Sequence, residues 1–343
     1  MVKAAVVILN YNGAELLKQF LPSVIQHTPS WCRIIVADNA STDQSLEVLQ
    51  VAFPHIERIE LKQNKGFAGG YNQALKQVNA EYYILLNSDI EVTGNWVDPV
   101  INFLDQNAQV AACQPKIKSY HHKEYFEHAG GAGGYIDFLG YPFCRGRIFE
   151  QTEKDTHQYD DIAEVFWASG AAMFIRSKVF HQMDGFDETF FAHMEEIDMC
   201  WRIKRSGHQI FYIPQSVVYH VGGGTLHKSN PRKTYLNFRN NLIMLFKNLQ
   251  SDSIKQVFFV RLFLDKLAAL RFLFSGQPKD AWAVVKAYAF IISHFGRLKQ
   301  QRKKSVMPFV KVFGIYHRSI VAEHFLRKKK YYFDLNPDYF KDT

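Results

Sequence analysis

The stretch AAVVILNYNG at residues 4–13 decides the fold. Residues 4–9 are an unbroken apolar run, too short for an ordinary helix, and read as a strand buried on both faces. Asn10, Tyr11, Asn12 and Gly13 then break the run with turn-forming chemistry. Residues 16–25 carry helical spacing, so the chain opens as strand, polar turn and helix. The pattern repeats, with strands expected at 34–37, 56–61 and 82–86 and helices at 45–51 and 68–78. Repeated βα units imply an α/β fold built on a mostly parallel sheet with right-handed crossovers.

In such a sheet the ligand crevice lies beyond the carboxyl ends of the strands. Short polar residues gather there three times: Asn10 and Asn12 after the first strand, Asp38 and Asn39 after the second, and Asn87, Ser88 and Asp89 after the fourth. Turn and cap preferences would explain any one cluster, but three converging strand ends point to a site. The segment NKGFAGGYN at 64–72 offers glycine-lined backbone to a phosphate or sugar. It is not G-x-G-x-x-G and follows the third strand, which excludes a dinucleotide site.

Two acidic stations carry the chemistry. LLNSDIEV at 85–92 sets Asp89 just past an apolar run, where a carboxylate can hold a divalent cation against a diphosphate. GFDETFFAHMEEIDMCWR at 185–202 sets Glu195, Glu196 and Asp198 near the start of a short amphipathic helix, as candidate general bases. Metal holder and base together suit transfer from a nucleotide-diphosphate donor to a hydroxyl.

Composition fixes the setting. With 343 residues, 47% of them hydrophobic, the chain can bury one large core and a smaller second unit, which excludes a disordered protein. Cys32, Cys113, Cys144 and Cys200 form no C-x-x-C pair, so neither a zinc site nor a disulfide framework is expected, and the compartment reads as reducing. Residues 4–9 are too short for a signal-peptide core, and the expectation is a protein that is not secreted. Residues 1–227 carry 18 Lys and Arg against 26 Asp and Glu, whereas 228–343 carry 23 against 7. An acidic first part of net −8 and a basic tail of net +16 imply a boundary near 228 and an anionic partner for the tail.

Taken together, VVILNYNG, VADNASTD, NKGFAGGYN, LLNSDIEV, SGAAMFIRSKVF, GFDETFFAHMEEIDMCWR and VVYHVGGGT resemble the inverting glycosyltransferases of family 2, which have the GT-A fold. The segments run in the family's order from residue 6 to 225, and the flavour is that of the rhamnosyltransferase-like branch that builds bacterial surface polysaccharides. The resemblance implies a GT-A domain over 1–227 and a C-terminal helical extension over 228–343. It implies donor contacts from Asn10, Asn12, Asp38, Asn39, Gly66, Gly69, Asn72, Asn87 and Ser88, with Asp38 set to accept from a pyrimidine ring N–H of a uridine or thymidine nucleotide. Asn87 stands where the family's D-x-D motif has its first aspartate, leaving Asp89 to hold Mg²⁺ or Mn²⁺ with diphosphate and water. His220, before Gly222, Gly223 and Gly224, matches a family histidine beside the metal. The family's E-D pair falls on Glu195 and Glu196, which makes Glu196 the base, with Glu195 and Asp198 as alternatives. The two missing aspartates leave a second reading open, a non-catalytic GT-A-like protein that binds a nucleotide-sugar or glycan.

Other conspicuous residues read as structure. His121, His122 and His128 lie in a polar stretch expected to be a solvated loop, Trp167, Phe174 and Phe186 are expected in the core, and 130–134 reads as a flexible loop or lid. In the tail, helices are expected near 237–249, 256–274 and 281–295, none suited to cross a bilayer. With basic runs at 297–304 and 327–330 they suit either helices lying in an anionic membrane interface or a packed bundle with a solvated basic face. The expected partners are therefore a nucleotide-diphosphate sugar, a glycan or lipid-linked glycan acceptor and the inner face of the cell membrane, with no nucleic acid, since no recognised module is present.

Overall fold

The computed structural model describes residues 1–222, 230–249, 251–305 and 312–340. The glycine run from residue 223 onward and the expected boundary at 227/228 lie outside them. The chain runs β1 (Val2–Asn10), α1 (Ala14–His27), β2 (Cys32–Asp38), α2 (Ser45–Ala52), β3 (Glu57–Glu60), α3 (Gly66–Leu75), β4 (Ala80–Asn87), β5 (Ile90–Val92), α4 (Asp98–Gln106) and β6 (Val110–Ser119). There follow β7 (Gly134–Asp137), β8 (Pro142–Cys144), β9 (Arg147–Ile148), β10 (Gln151–Thr152), β11 (Ala163–Glu164), β12 (Ala172–Arg176), α5 (Ser177–Gln182), α6 (Glu195–Arg205) and β13 (Gln209–His220). The C-terminal part holds α7 (Pro231–Asn248), α8 (Ser251–Phe274), α9 (Pro278–Ser293), α10 (Phe295–Ser305), β14 (Ile315–Tyr316) and α11 (Ile320–Phe325).

The large sheet has the order β11-β13-β6-β12-β4-β1-β2-β3, with β5 added on β13. β3, β2, β1 and β4 are parallel, and β12 runs antiparallel between β4 and β6. Burial on both faces explains why β1 reads as a continuous apolar run: Ala5 and Val7 enter one core, and Ala4, Val6 and Ile8 the other. Trp167, Phe174 and Phe186 are buried, as expected of core residues. All four cysteines are free and buried.

Register places the site. Asn10 pairs with Asp38, and Leu9 with Asn87, so β1, β2 and β4 end side by side. β13 brings His220 opposite Ile90, next to Asp89.

A second sheet, β10-β9-β8-β7-β14, corrects two expectations. The glycine run 130–134 is buried and leads into β7; Gly134 lies so close to the Trp167 indole that a Cβ would sit 2.1 Å from it, which a mobile lid could not maintain. The charge boundary near 228 is also no packing boundary. β14 pairs with β7, and the Ile320 N–H donates to Asp137 in the β7 strand, so residues 312–340 return to cover the first part. Burial pushes the Asp137 carboxyl up to about 7, against three backbone N–H groups that favour its charged form.

Candidate functional site

The turn from β4 into β5 brings Asp89 against His220 at the end of β13. Asp89 Oδ1 lies 3.2 Å from His220 Nε2, and both side chains are buried. The other ring nitrogen, Nδ1, stands 3.3 Å from Glu127 Oε2. Burial by itself would lower the pKa of the imidazole, but the charges of Asp89 and Glu127 outweigh it and raise it to about 10. Burial would likewise raise Glu127, but His220 and the Ala129 N–H hold it at about 2.

Glu127 is the residue that sequence reasoning missed. It lies in the stretch expected to be a solvated loop, and His121 and His122 are exposed there as expected. The chain turns inward just afterwards, because Phe126 bridges to Lys118 and is buried, carrying Glu127 in with it. The aromatic pair Tyr125 and Phe126 among polar residues was the trace of that turn.

Two cis ligands of an octahedral cation with bonds of ~2.1 Å stand ~3.0 Å apart. Asp89 Oδ1 and His220 Nε2 stand 3.2 Å apart as an ion pair, so one cation could meet both only by displacing the ring proton. Among the described residues no group of three or more His, Cys, Asp or Glu forms a protein-only cage, so a diphosphate and water would complete the shell. Glu127 behind the ring is the usual way to fix the orientation of a ligating imidazole. Asn87 and Ser88 are half-buried at the same strand end.

At the neighbouring strand ends, Asn10 Nδ2 donates to Asp38 Oδ2 at 3.0 Å, and the Ser41 N–H to Asp38 Oδ1 at 2.8 Å. Asn10 Oδ1 is buried with no hydrogen-bond partner, an acceptor beside the Asp38 carboxylate. Asn12, in a left-handed conformation, accepts from the Thr42 N–H at 2.7 Å and shapes the same rim. Three expected donor contacts are instead braces. Asn39 donates to Asn64 and to the Gly66 carbonyl, both ends of the Asn72 amide are spent on the Phe186 backbone, and the space at Gly69 is filled by Lys65 and Glu188. Gly66 has a φ of +70°, and a Cβ there would lie 2.3 Å from the Phe191 carbonyl oxygen. The glycine-rich segment thus packs directly on the loop leading to the second acidic station.

In that loop Phe191, His193 and Met194 all have positive φ, which is strained for residues with side chains. Asn240 of α7 holds it, its Nδ2 donating to the carbonyls of Phe190, Ala192 and His193 at 2.7–2.9 Å. Asn240→Ala would leave those carbonyls without this donor, so we expect a loss of about 1–3 kcal/mol in urea unfolding and faster amide hydrogen exchange over 190–194.

The three carboxylates of α6 have three fates. Asp198 is fully buried, bonded to Arg202 Nε at 2.8 Å and Asn248 Nδ2 at 2.8 Å, and paired with Lys247. Burial would raise it, but Arg202 and Lys247 outweigh that and lower its pKa, so it serves to anchor α6 on α7 and not as a base. Glu195 is buried with Oε2 unpartnered, and burial plus the neighbouring Glu196 push its pKa well up. Glu196 is half-buried, its Oε2 also unpartnered, and burial raises it to about 7. Its Cβ approaches Gly170, and the next residue, Ala171, accepts from the Asn87 N–H at 2.9 Å. The turn 169–171 thus touches both Glu196, through Gly170, and the Asn87–Asp89 strand end, through Ala171.

Residues 5–180, just over half of the chain, match the glycosyl transferase family 2. The chain belongs to that family. N-acetylglucosaminyl-diphospho-decaprenol L-rhamnosyltransferase of Mycobacterium tuberculosis is 24% identical over 230 residues, 63% of this chain and 75% of that protein. A low-salt glycan biosynthesis hexosyltransferase of Haloferax volcanii is 22% identical, over 70% of this chain and 74% of that one. Among solved structures, a mannosyltransferase from Pyrobaculum calidifontis in complex with GDP-Man and Mn²⁺ aligns with a TM-score of 0.51 at 13% identity, over 96% of this chain and 88% of that one. GalNAc-T7 with UDP, GalNAc and Mn²⁺ aligns with a TM-score of 0.55 at 15% identity, over 72% of this chain but 48% of that one. These likenesses show the GT-A fold, and the protein is a family 2 glycosyltransferase.

Proposed function

We propose that this glycosyltransferase moves a sugar from a UDP- or dTDP-sugar to a hydroxyl of a lipid-linked glycan in bacterial surface polysaccharide synthesis, by a single in-line displacement that inverts configuration. The observation that carries this reading is the pairing of an Asp89–His220 cation site with an unpartnered Glu196 carboxylate beside the 169–171 turn. Asp89 and His220 would hold Mg²⁺ or Mn²⁺, which when bound neutralises charge on the departing nucleoside diphosphate. Asp38 and the free Asn10 Oδ1 would take the N–H of a pyrimidine base, with Asn12, Asn87 and Ser88 along the donor. Glu196, poised near neutrality, would take the proton from the acceptor hydroxyl as it attacks the anomeric carbon. Burial and the charge of Glu196 favour the protonated form of Glu195 beside it, which works against two adjacent buried charges.

The lipid-linked acceptor is supported by the name of the mycobacterial relative, whose acceptor is a diphospho-decaprenol, and the basic C-terminal region suits peripheral attachment at an anionic inner membrane face. The test is incubation of full-length protein with labelled UDP- and dTDP-sugars, Mg²⁺ or Mn²⁺ and a membrane extract. Label should move into the lipid fraction with one donor, and failure with every donor would overturn the reading.

Glu127 gives a sharper check. Glu127→Gln removes the charge behind His220 without emptying the site, and Mn²⁺ affinity followed by electron paramagnetic resonance is expected to fall about 10–100-fold.

A further inference from the structure

Helix α8 is built inside out. Its inward stripe carries Arg261 and Asp265, each 1% exposed, whereas Phe259, Phe263 and Phe274 on its outer face are 76%, 61% and 89% exposed. Leu262, Leu267, Leu270 and Leu273 continue the outer stripe at three- and four-residue spacing. The buried pair is held from several sides: Arg261 donates to the Leu139 carbonyl at 2.9 Å and pairs with Asp265 at 3.3 Å, and Asp265 accepts from Tyr141 at 2.9 Å and Tyr288 at 2.7 Å. Val257, Phe258 and Leu264 share the inward side with this pair, yet Phe259, Phe263 and Phe274 are left outside. The neighbouring helix α9 buries a mostly apolar face and still exposes Trp282, Val285 and Ile292.

An exposed apolar ridge of this size needs a partner. Charge selects it. Every exposed charged residue on the hairpin from 253 to 293 is a cation, Lys255, Lys266, Arg271, Lys279 and Lys286, while both acids there, Asp265 and Asp280, are buried. A second copy of this chain on the same face would set cation against cation, whereas an anionic lipid surface takes both the cations and the apolar ridge. No described helix is long and apolar enough to cross a membrane, so α8 and α9 would lie in its plane.

We propose that the α8–α9 hairpin inserts its phenylalanine ridge and Trp282 into the acyl boundary of an anionic membrane. This deepens, and rests on, the proposed lipid-linked acceptor: the hairpin holds the enzyme by hydrophobic insertion, and the basic charge only draws it in. Vesicle binding is read without turnover, so a failed transfer assay and a failed insertion remain distinguishable.

The test uses full-length protein and vesicles of phosphatidylcholine with or without phosphatidylglycerol. Binding to the anionic vesicles should persist in part at high salt and fall by about tenfold or more in Phe259→Ser/Phe263→Ser, with donor binding unchanged. Trp282 fluorescence should shift to the blue and be quenched by brominated lipid, a change absent in Trp282→Phe. Binding that salt abolishes completely, or that the double substitution leaves intact, would overturn insertion. A dimer in sedimentation that Phe263→Ser disperses would overturn it in favour of a second copy.

Discussion

Glu196→Gln is expected to lower turnover by about 10²–10⁴ while donor affinity survives. The amide keeps the volume of the side chain, half-buried beside Gly170, but cannot take the acceptor proton. The wild-type rate should carry the same group in its pH profile. Burial raises Glu196 to about 7, so turnover should rise with pH through about 7 and fall on the acid side, a limb missing from the residual rate of the variant. Stability runs the other way. Between the ordinary carboxylate range and about 7, the native state keeps a proton that the unfolded chain has lost, so this group makes wild type less stable as pH rises through that window. Glu196→Gln should therefore unfold at higher urea than wild type at pH 8, with the difference vanishing at pH 4. Burial and the Glu196 charge push Glu195 toward its protonated form, so Glu195→Gln should perturb the site less and leave the acid limb nearly in place. If Glu195→Gln removes turnover and Glu196→Gln keeps it, the base has been assigned to the wrong carboxylate.

The α/β core was legible because β1, β2 and β4 are largely buried apolar runs and α1 buries one face, so periodicity and turn residues pointed to one solution. Strand register then made Asn10, Asp38 and Asn87 neighbours, as the polar clusters had implied. The parts that escaped depend on contacts between distant segments. Nothing local in Glu127 announces that it will stand behind His220, 93 positions away, and nothing in Asn72 says that its amide is spent on Phe186. Asp198 looked like its glutamate neighbours because one helical turn separates them, yet Lys247 and Asn248 on α7 claim it. The basic tail misled for a related reason: net charge reports the solvated surface, whereas β14 and the buried Arg261–Asp265 pair, which bind the tail to the rest, contribute little to it. Deleting residues 297–343 would strip β14 from the second sheet, so it tests folding as much as membrane attachment.

Asp89→Asn is expected to weaken Mn²⁺ binding by more than the 10–100-fold expected for Glu127→Gln, and to lower turnover with it. The reasoning is one of charge and position. A hard divalent cation draws its affinity from anionic oxygen, and Asp89 is the one carboxylate in the Asn87–Asp89 strand end. The neutral amide keeps the shape of that strand end, where the Asp89 carbonyl still accepts from the Val221 N–H, and Glu127 still faces the far side of the His220 ring. The fold and Mn²⁺-free donor binding should therefore persist. Asn87→Asp supplies the opposite test, since it adds a carboxylate at a half-buried position of the same turn and should preserve or raise Mn²⁺ affinity. Combined with Asp89→Asn, it should recover part of the lost affinity if both positions face one cation. Titration of donor binding with Mn²⁺ across the four proteins reads all of this at once, and a metal dependence that Asp89→Asn leaves unchanged would remove Asp89 from the site.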